Sequence, residues 1–537
     1  MNRFCAVWGL LAFVLIFAGC GGYKAAPPVS ARYSNDMAMR ATPESQINDE
    51  DSPQFNTEAY DEIVENEFRS ALESPQSTFS IDVDTASYSN VRRLLNDGQL
   101  PPAGAVRIEE LINYFSYDYP QPEGEHPFSV STDLAACPWT PEHQLVRIAL
   151  KGKEFDQSER PPSNLVFLLD VSGSMNQANK LPLVQSAMRM LVEELNENDR
   201  VAIVVYAGAA GLVLPSTTAD QKTTILSAID RLRAGGSTNG GQGIELAYQV
   251  AKANRIEGGT NRVIICTDGD FNVGTTSQSD LVALIQAKAA SGIYLSVLGF
   301  GTGNYKDSTM EKLADKGNGN YAYIDSMLEA RKALVQQMGA TLITIAKDVK
   351  IQLDFNPSRI SAYRLIGYEN RIMANEDFRD DKKDAGEIGA GHTVTALYEI
   401  VPVGVESPAR NSKPSEFVEV VPKEGVNPAT LLTVSLRYKQ PDGDTSQEFT
   451  IPLNHEKDSQ IPAASSDLQF ATAVAAFGML LRKSKFAGQA DWDWVVETAQ
   501  SSEGEDHDGF RAEFVSLAKK ARMMSKKRLP LKGSNGD

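Results

Sequence analysis

Cysteine is scarce in this chain, with four residues among 537. Two of them, Cys5 and Cys20, fall in an apolar segment at the N-terminus, which leaves Cys137 and Cys266 for the remainder. Cys266 stands in the apolar run "RVIICTDG", where a reduced core thiol is the simplest interpretation. A disulfide between Cys137 and Cys266 would have to link separate domains, so we predict none.

An excess of basic charge is also missing. Lys and Arg number 52 against 70 Asp and Glu, which gives a formal net charge of −18 at pH 7. Such a chain repels nucleic acid and anionic lipid head groups, so we expect no nucleic-acid partner and no membrane attachment through a basic surface. The length and a hydrophobic content of 42% suffice for two to four globular domains.

The first 20 residues, "MNRFCAVWGLLAFVLIFAGC", offer another route to a membrane. They contain Arg3, an apolar stretch and small residues before Cys20, which is the anatomy of a secretory signal. An uncleaved transmembrane anchor is the alternative, but an apolar stretch of about fifteen residues is short for a span.

The end of this segment resembles a bacterial lipobox. The resemblance implies cleavage before Cys20, a diacylglycerol on its sulfur and a further acyl chain on its amine, which together anchor a protein stably to a bilayer. Gly21 follows where an aspartate would signal retention at the inner membrane of enteric bacteria. We therefore expect a lipid-anchored envelope protein, facing the periplasm or the surface, with the outer membrane favoured.

Composition and periodicity divide the rest of the chain. A segment rich in Pro, Ser, Asn and acids follows the signal and is typical of a disordered tether. The predicted parts are a signal peptide (1–20), a tether (21–75), an α+β flank (76–160), an α/β domain (161–345), a β-sandwich region (346–460) and a C-terminal helical region (461–537).

The α/β domain is indicated by apolar strands that alternate with amphipathic helices. Runs such as "NLVFLLD", "RVAIVVYA" and "NRVIICTD" are apolar at nearly every position, as strands buried on both faces are. We predict a doubly wound, mostly parallel, Rossmann-like sheet. The alternating strands at 128–150 are expected to pair with those after 346, so that the α/β domain is inserted in a β-sandwich.

Three predicted loops at one edge of this sheet carry oxygen donors. Asp170 ends the first strand, with Ser172 and Ser174 in "DVSGS" behind it, Thr238 lies in "GGSTN", and Asp268 lies in "CTDG". The carboxyl ends of parallel strands form the edge where ligands usually bind. Carboxylates and hydroxyls without histidine or thiol suit Mg²⁺, or Mn²⁺ as a substitute.

This arrangement resembles the metal-ion-dependent adhesion site of von Willebrand factor type A (VWA) domains. The resemblance implies that Ser172 and Ser174 bind the cation directly, and that Asp170, Thr238 and Asp268 bind it directly or through water. It also implies an open coordination position that takes an Asp or Glu carboxylate from a protein partner. In VWA domains a change at the metal can be coupled to the last helix, here about 326–342.

The segments on both sides of this domain carry a second resemblance. "STFSIDVDTASYSNVRRLLNDGQLPPAGAVRIEELINYF" and "RLIGYENRIMANEDFRDDKKDAGEIGAGHTVTALYEI" are similar to the flanks of the VWA domain in a family of bacterial envelope lipoproteins. This implies the same organisation for most of the chain.

Other motifs have simpler interpretations. Asp270 and Asn272 form a candidate ligand-contact loop, although solvated turn residues explain them equally well. "GFGTGN" lacks the last glycine of a dinucleotide fingerprint and is interpreted as a turn. "SIDVDTAS" resembles the nucleophile loop of haloacid-dehalogenase phosphatases, but a helix-capping role for Asp84 or Thr85 fits better.

Three functions follow from this pattern. The first is adhesion to a protein partner through a divalent cation, and the second is a structural or assembly role in which the metal only braces the loops. The third is metal-dependent hydrolysis. All five histidines lie outside the α/β domain, and the chain has neither a P-loop lysine nor a nucleophile elbow. We therefore expect a non-enzymatic protein.

Overall fold

The computed structural model describes residues 58–155, 160–236, 240–269, 278–303, 306–337, 343–409, 425–457 and 459–527. The strands, in chain order, are β1 (Arg69–Ser70), β2 (Gln76–Ser80), β3 (Phe128–Ala136), β4 (Gln144–Gly152), β5 (Ser163–Asp170), β6 (Arg200–Tyr206), β7 (Ala210–Thr218), β8 (Thr260–Thr267), β9 (Tyr294–Phe300), β10 (Tyr321–Ile324), β11 (Thr344–Phe355), β12 (Ile360–Ile366), β13 (Ile372–Met373), β14 (Gly386–Gly389), β15 (Thr393–Pro402), β16 (Thr430–Lys439) and β17 (Ser446–Asn454).

The α-helices, numbered in the same way, are α1 (Ala86–Asn96), α2 (Ile108–Asn113), α3 (Leu181–Glu194), α4 (Lys222–Asp230), α5 (Gly240–Ala253), α6 (Gln278–Ala289), α7 (Asp307–Lys316), α8 (Met327–Arg331), α9 (Ser466–Arg482), α10 (Trp492–Ser501) and α11 (Phe510–Lys527).

A six-stranded sheet in the order β10-β9-β8-β5-β6-β7 lies at the centre of the α/β domain. All its pairs are parallel except β6 with β7. Every residue of β5 is buried, and successive side chains enter two different hydrophobic clusters. Helices α3, α4 and α8 cover one face, and α5, α6 and α7 cover the other. The predicted doubly wound, mostly parallel sheet is confirmed.

The antiparallel edge strand β7 was not predicted from the sequence. Most of its residues are half-buried or exposed, and it contains Pro215, so it shows neither the apolar run of a buried strand nor a clear alternation.

Two further sheets pack face to face beside the α/β domain. One has the order β1-β12-β15-β4-β3, and the other the order β13-β2-β11-β16-β17, with β14 paired to β11. The rings of Phe355 and Tyr363 stack between them at 3.9 Å, and Ser77 Oγ lies 2.9 Å from Tyr398 Oη. The first sheet takes β3 and β4 from before the α/β domain and β12 and β15 from after it, so the domain is inserted in a β-sandwich, as predicted.

The C-terminal helices α9, α10 and α11 share a hydrophobic cluster with α1, α2 and the outer face of the first sheet. Ser465 caps α9 by accepting a hydrogen bond from Leu468 N, and Lys483 ends the helix in the left-handed conformation. The predicted helical region is therefore a layer on the sandwich.

Two predicted elements need correction. The tether was predicted to reach residue 75, but residues 58–75 lie against the domain: β1 pairs with β12, and Phe68 is buried against His143 and Phe486. Phe68 stands among charged and polar residues, so the composition of the segment did not indicate that it is buried. The last helix of the α/β domain, expected at about 326–342, is α-helical in α8 and continues as a π-helix over Lys332–Gln336 in its described part.

Residues 410–424 of the predicted β-sandwich region and the segment ending at Cys20 lie outside the described residues. Within the described ranges, no helix combines the length and the apolar character needed to cross a bilayer.

Candidate metal site

Asp170 occupies the last position of β5, between the ends of β6 and β8. Its side chain is fully buried, and Oδ1 accepts a hydrogen bond from Ser172 N at 2.8 Å. Oδ2 has no hydrogen bond of good geometry within the described chain, although the Tyr206 hydroxyl interacts with this carboxylate. Burial, reinforced by the neighbouring charge of Asp268, raises the pKa of Asp170 to about 6. The carboxylate therefore has no basic side chain paired with it in the described structure, and its second oxygen lacks a well-formed hydrogen bond.

Ser172 and Ser174 follow in the loop after β5. Their hydroxyl oxygens lie 3.0 Å apart, and either one can donate to the other. Ser172 is buried and Ser174 is exposed, while the fully buried side chain of Met175 fixes the loop to the core. Two hydroxyls spaced in this way present converging lone pairs beside Asp170.

Asp268 follows β8, the strand that pairs with β5, and its side chain is fully buried. Its Oδ2 accepts a hydrogen bond from Lys180 Nζ at 2.9 Å. The predicted pair of acids at this edge is thus present, together with a lysine that the motif did not indicate. The only sequence signal for Lys180 was its place in the polar run "NQANK" ahead of α3, which does not distinguish it from a surface residue.

The glycine loop that precedes α5 hydrogen-bonds to the serine loop. Gly235 N donates to Val171 O at 2.7 Å, and Gly173 N donates to Gly236 O at 3.0 Å. Thr238 is two residues further on and lies outside the described residues, as do Asp270 and Asn272. The described structure therefore brings together Asp170, Ser172, Ser174 and Asp268 of the predicted site.

The donor set matches the preference of Mg²⁺ for hard oxygen ligands. It comprises two carboxylates, of which Asp170 has an oxygen without a donor, and two hydroxyls. Across the described ranges, no group of three or more His, Cys, Asp and Glu side chains is placed to hold a metal. The candidate site differs from such a group, because it combines two carboxylates with two hydroxyls.

The capping role predicted for Asp84 or Thr85 is wrong. Thr85 stands at the N-cap of α1 but makes no side-chain capping bond. Asp84 Oδ1 accepts from Tyr321 N at 2.8 Å, and Arg371 Nε donates to Asp82 Oδ2 at 2.9 Å. These acids join the flank to the α/β domain and the sandwich, because long-range partners compete successfully with the local cap.

The "GFGTGN" motif forms a turn where it is described. Gly301 follows β9 with a φ of 74°, and Gly303 N donates to Glu58 Oε1 at 3.0 Å. Asn304 lies outside the described residues.

Family models match three parts of the chain. The von Willebrand factor type A domain matches residues 164–337, a segment described as von Willebrand factor matches 54–147, and "Uncharacterized protein YfbK, C-terminal" matches 340–524. The uncharacterized protein YfbK of Escherichia coli (strain K12) is 42% identical over 468 residues, which cover 86% of this chain and 80% of the relative. The chain belongs to the YfbK family.

Other relatives share less with this member of the YfbK family. The uncharacterized protein sll0103 of Synechocystis is 32% identical over 212 residues, covering 38% of this chain and 49% of the relative. A solved von Willebrand factor type A structure from Catenulispora acidiphila is 17% identical, with 76% of this chain and 99% of that structure covered and a TM-score of 0.42. The VWA domain indicates a protein-interaction or adhesion role.

Proposed function

We propose that this YfbK-family protein binds a protein partner through a divalent cation at the edge of its VWA domain. Asp170, Ser172, Ser174, Thr238 and Asp268 would hold the cation, Mg²⁺ or Mn²⁺, and the partner would supply an Asp or Glu carboxylate. When bound, the cation supplies a positive centre on which a partner carboxylate can be held in a fixed direction.

The observation that carries this proposal is the state of Asp170. A fully buried carboxylate oxygen without a hydrogen bond is costly unless a ligand completes it. Here it lies beside two hydroxyls and near a second carboxylate, and Ser174 is exposed. The site is therefore both incomplete and reachable from solvent.

The side chains at this edge of the sheet would have different roles in holding the cation. Ser172 N donates a hydrogen bond to Asp170 Oδ1, so the end of β5 and the loop after it supply a rigid side of the site. Asp268 comes from the adjacent strand and carries a counter-ion, Lys180. Hydroxyls rather than further carboxylates complete the set, so the donors would not exceed the charge of the cation and an acidic partner group could still bind it.

Isothermal titration of the full chain in detergent micelles with Mg²⁺ and Mn²⁺ tests the cation. We expect wild type to bind one ion and Asp170→Asn to weaken its binding at least tenfold. Asp230→Asn is a matched control, because Asp230 is an exposed acid of the same domain, paired with Arg189. Wild type and Asp170→Asn giving the same titration would contradict the proposal.

We also propose that the protein is anchored to the envelope by lipid on Cys20. The proposal rests on the resemblance of residues 1–20 to a lipoprotein signal. Cells fed a labelled fatty acid should label wild type and the control Cys5→Ser but not Cys20→Ser. Density-gradient separation of the two membranes would then test the predicted outer-membrane location, and label retained by Cys20→Ser would refute the anchor.

A further inference from the structure

Lys180 lies at the metal edge, the group formed by Asp170, Ser172, Ser174 and Asp268. Both its backbone and its side chain are hydrogen-bonded there. Its N–H donates to Gln177 O at 3.0 Å, and its carbonyl accepts the first helical bond of α3 from Val184 N at 2.9 Å. The side chain is buried, and Nζ donates to Oδ2 of the fully buried Asp268 at 2.9 Å. A lysine held in this way occupies one defined position.

Gly301 provides the space that the lysine side chain crosses. A Cβ placed on residue 301 would lie 2.3 Å from Lys180 Cε, 2.5 Å from Cγ and 2.8 Å from Cδ. Gly301 has a φ of 74°, a conformation that also favours glycine. Because residue 301 has no side chain, the methylene chain of Lys180 can cross the end of β9 and reach Asp268.

The ammonium and a divalent cation have overlapping requirements at this edge. Lys180 gives Asp268 one tethered positive charge, and a nearby divalent ion would repel that charge while drawing on the same carboxylate. Asp170, in contrast, has no basic side chain of the described structure paired with it. The two acids are therefore unequal: one has a resident cation and the other lacks one.

We propose that Lys180 is a positioning residue that acts as the resident counter-ion of Asp268 and competes with the divalent cation for it. This inference rests on the proposed function, since it assumes that the cation enters the edge formed by Asp170, Ser172, Ser174 and Asp268. Lys180 preserves the arrangement of the edge before metal arrives and sets the metal affinity lower than the oxygen donors alone would give.

The test is a titration of Mg²⁺ into the full chain in detergent micelles at constant pH and ionic strength. Lys180→Met keeps an unbranched chain over Gly301 and removes the charge. We expect it to lower the dissociation constant for Mg²⁺ at least tenfold. Lys222→Met is the matched control, because Lys222 pairs with Glu193 at the surface of the same domain, and it should change the constant less than twofold.

Thermal unfolding supplies a second readout that does not depend on a partner. In EDTA, Lys180→Met should unfold at a lower temperature than wild type, because Asp268 loses its buried counter-ion. In saturating Mg²⁺ the difference should shrink or reverse. If Lys180→Met does not fold, Mg²⁺ is titrated into Lys180→Gln instead. This variant retains a hydrogen-bond donor for Asp268 but lacks the charge.

Each outcome decides the inference. Tighter Mg²⁺ binding by the uncharged variant supports it, and binding by the variant alone supports it while contradicting a cation in the native protein. Equal or weaker binding by the variant overturns it and leaves the proposed function standing. If neither protein binds Mg²⁺, both the inference and the proposed function are wrong.

Discussion

Two buried groups of charges in this protein differ in how completely they are paired. At the candidate metal site, the ammonium of Lys180 pairs with Asp268 only, and one oxygen of Asp170 lacks a well-formed hydrogen bond in the described structure. The second group, here called the Arg92 cluster, lies at α8. Its members are Arg92, Tyr114, Asp325, Glu329, Lys332 and Glu513.

The Arg92 cluster is interlocked by long side chains from distant parts of the chain. Arg92 donates to Asp325 at 2.5 Å, to Glu329 at 2.7 Å and to Glu513 at 3.0 Å. Tyr114 Oη donates to Glu329 at 2.8 Å. This cluster thereby joins α1, the residue after α2, α8 and α11.

The comparison separates a structural group of charges from a candidate ligand site. Buried charges whose hydrogen bonds are filled within the chain fix modules to one another, whereas a buried carboxylate with a missing donor leaves room for a ligand. It also bears on the last helix of the VWA domain, because any shift of α8 would have to break the contacts of Glu329 with Arg92 and Tyr114.

The largest expected effect comes from removing the guanidinium that three carboxylates of the Arg92 cluster share. Arg92→Met would leave Asp325, Glu329 and Glu513 without their shared counter-ion, and we expect it to lower the free energy of unfolding by about 3–5 kcal/mol. Urea unfolding of the full chain measures this change. Arg189→Met, which removes an exposed pair with Asp230, should cost less than about 1 kcal/mol. Equal losses in both variants would show that the Arg92 cluster contributes no more to stability than an exposed ion pair does.

The next largest effect is expected at Asp170, whose charge has no basic partner in the described structure. Asp170→Asn removes a buried charge that the chain does not pair, so without metal it should not lower the free energy of unfolding. Mg²⁺ at a hundred times its dissociation constant should stabilise wild type by about 2.7 kcal/mol. Asp170→Asn should lose this increment in urea unfolding with Mg²⁺, and an undiminished increment would place the cation elsewhere.

A pH series tests the electrostatics of the Arg92 cluster. Burial, together with the charge of Arg92, lowers the pKa of Lys332 to about 7 against the opposing charges of Glu329, Glu513 and Asp508. The unfolded chain therefore binds more protons between pH 7 and 10.5, so this lysine makes stability rise with pH by up to about 1.4 kcal/mol per unit.

Lys332→Met should flatten that rise. Urea unfolding at pH 7, 8 and 9 measures the difference between the variant and wild type, which should change steadily across the series. Parallel stability curves would show that Lys332 is as well solvated in the fold as in the unfolded chain.

The smallest effect on stability is expected for Thr238→Ala, which separates adhesion from a purely structural metal. If the cation bridges to a partner, affinity capture from solubilised membranes should lose the partner that wild type retains in Mg²⁺ and releases in EDTA. The melting temperature without metal should stay close to that of wild type. Unchanged capture of that partner by a folded variant would favour an assembly role in which other surfaces bind.

That Asp170, Ser172, Ser174 and Asp268 lie together was predictable, because the information for it is local. Asp170, Ser172 and Ser174 fall within five residues, and the apolar runs of β5 and β8 place Asp170 and Asp268 at the same edge. Lys180 was not predictable, since its role depends on the space above Gly301, 121 residues further along the chain.

The Arg92 cluster and the sandwich contacts show the limit of such reasoning. Arg92 and Asp325 are 233 residues apart, and Arg92 and Glu513 are 421 residues apart. No periodicity or spacing connects such residues. For the same reason local capping was predicted for Asp84, whereas Tyr321, 237 residues away, provides its partner.

The most direct measurement is a crystal structure of the full chain grown with Mn²⁺, with data collected at the manganese absorption edge. The account predicts one anomalous peak that contacts Ser172 and Ser174 and lies between Asp170 and Asp268. No peak there at saturating Mn²⁺, with Lys180 Nζ still hydrogen-bonded to Asp268, would contradict it.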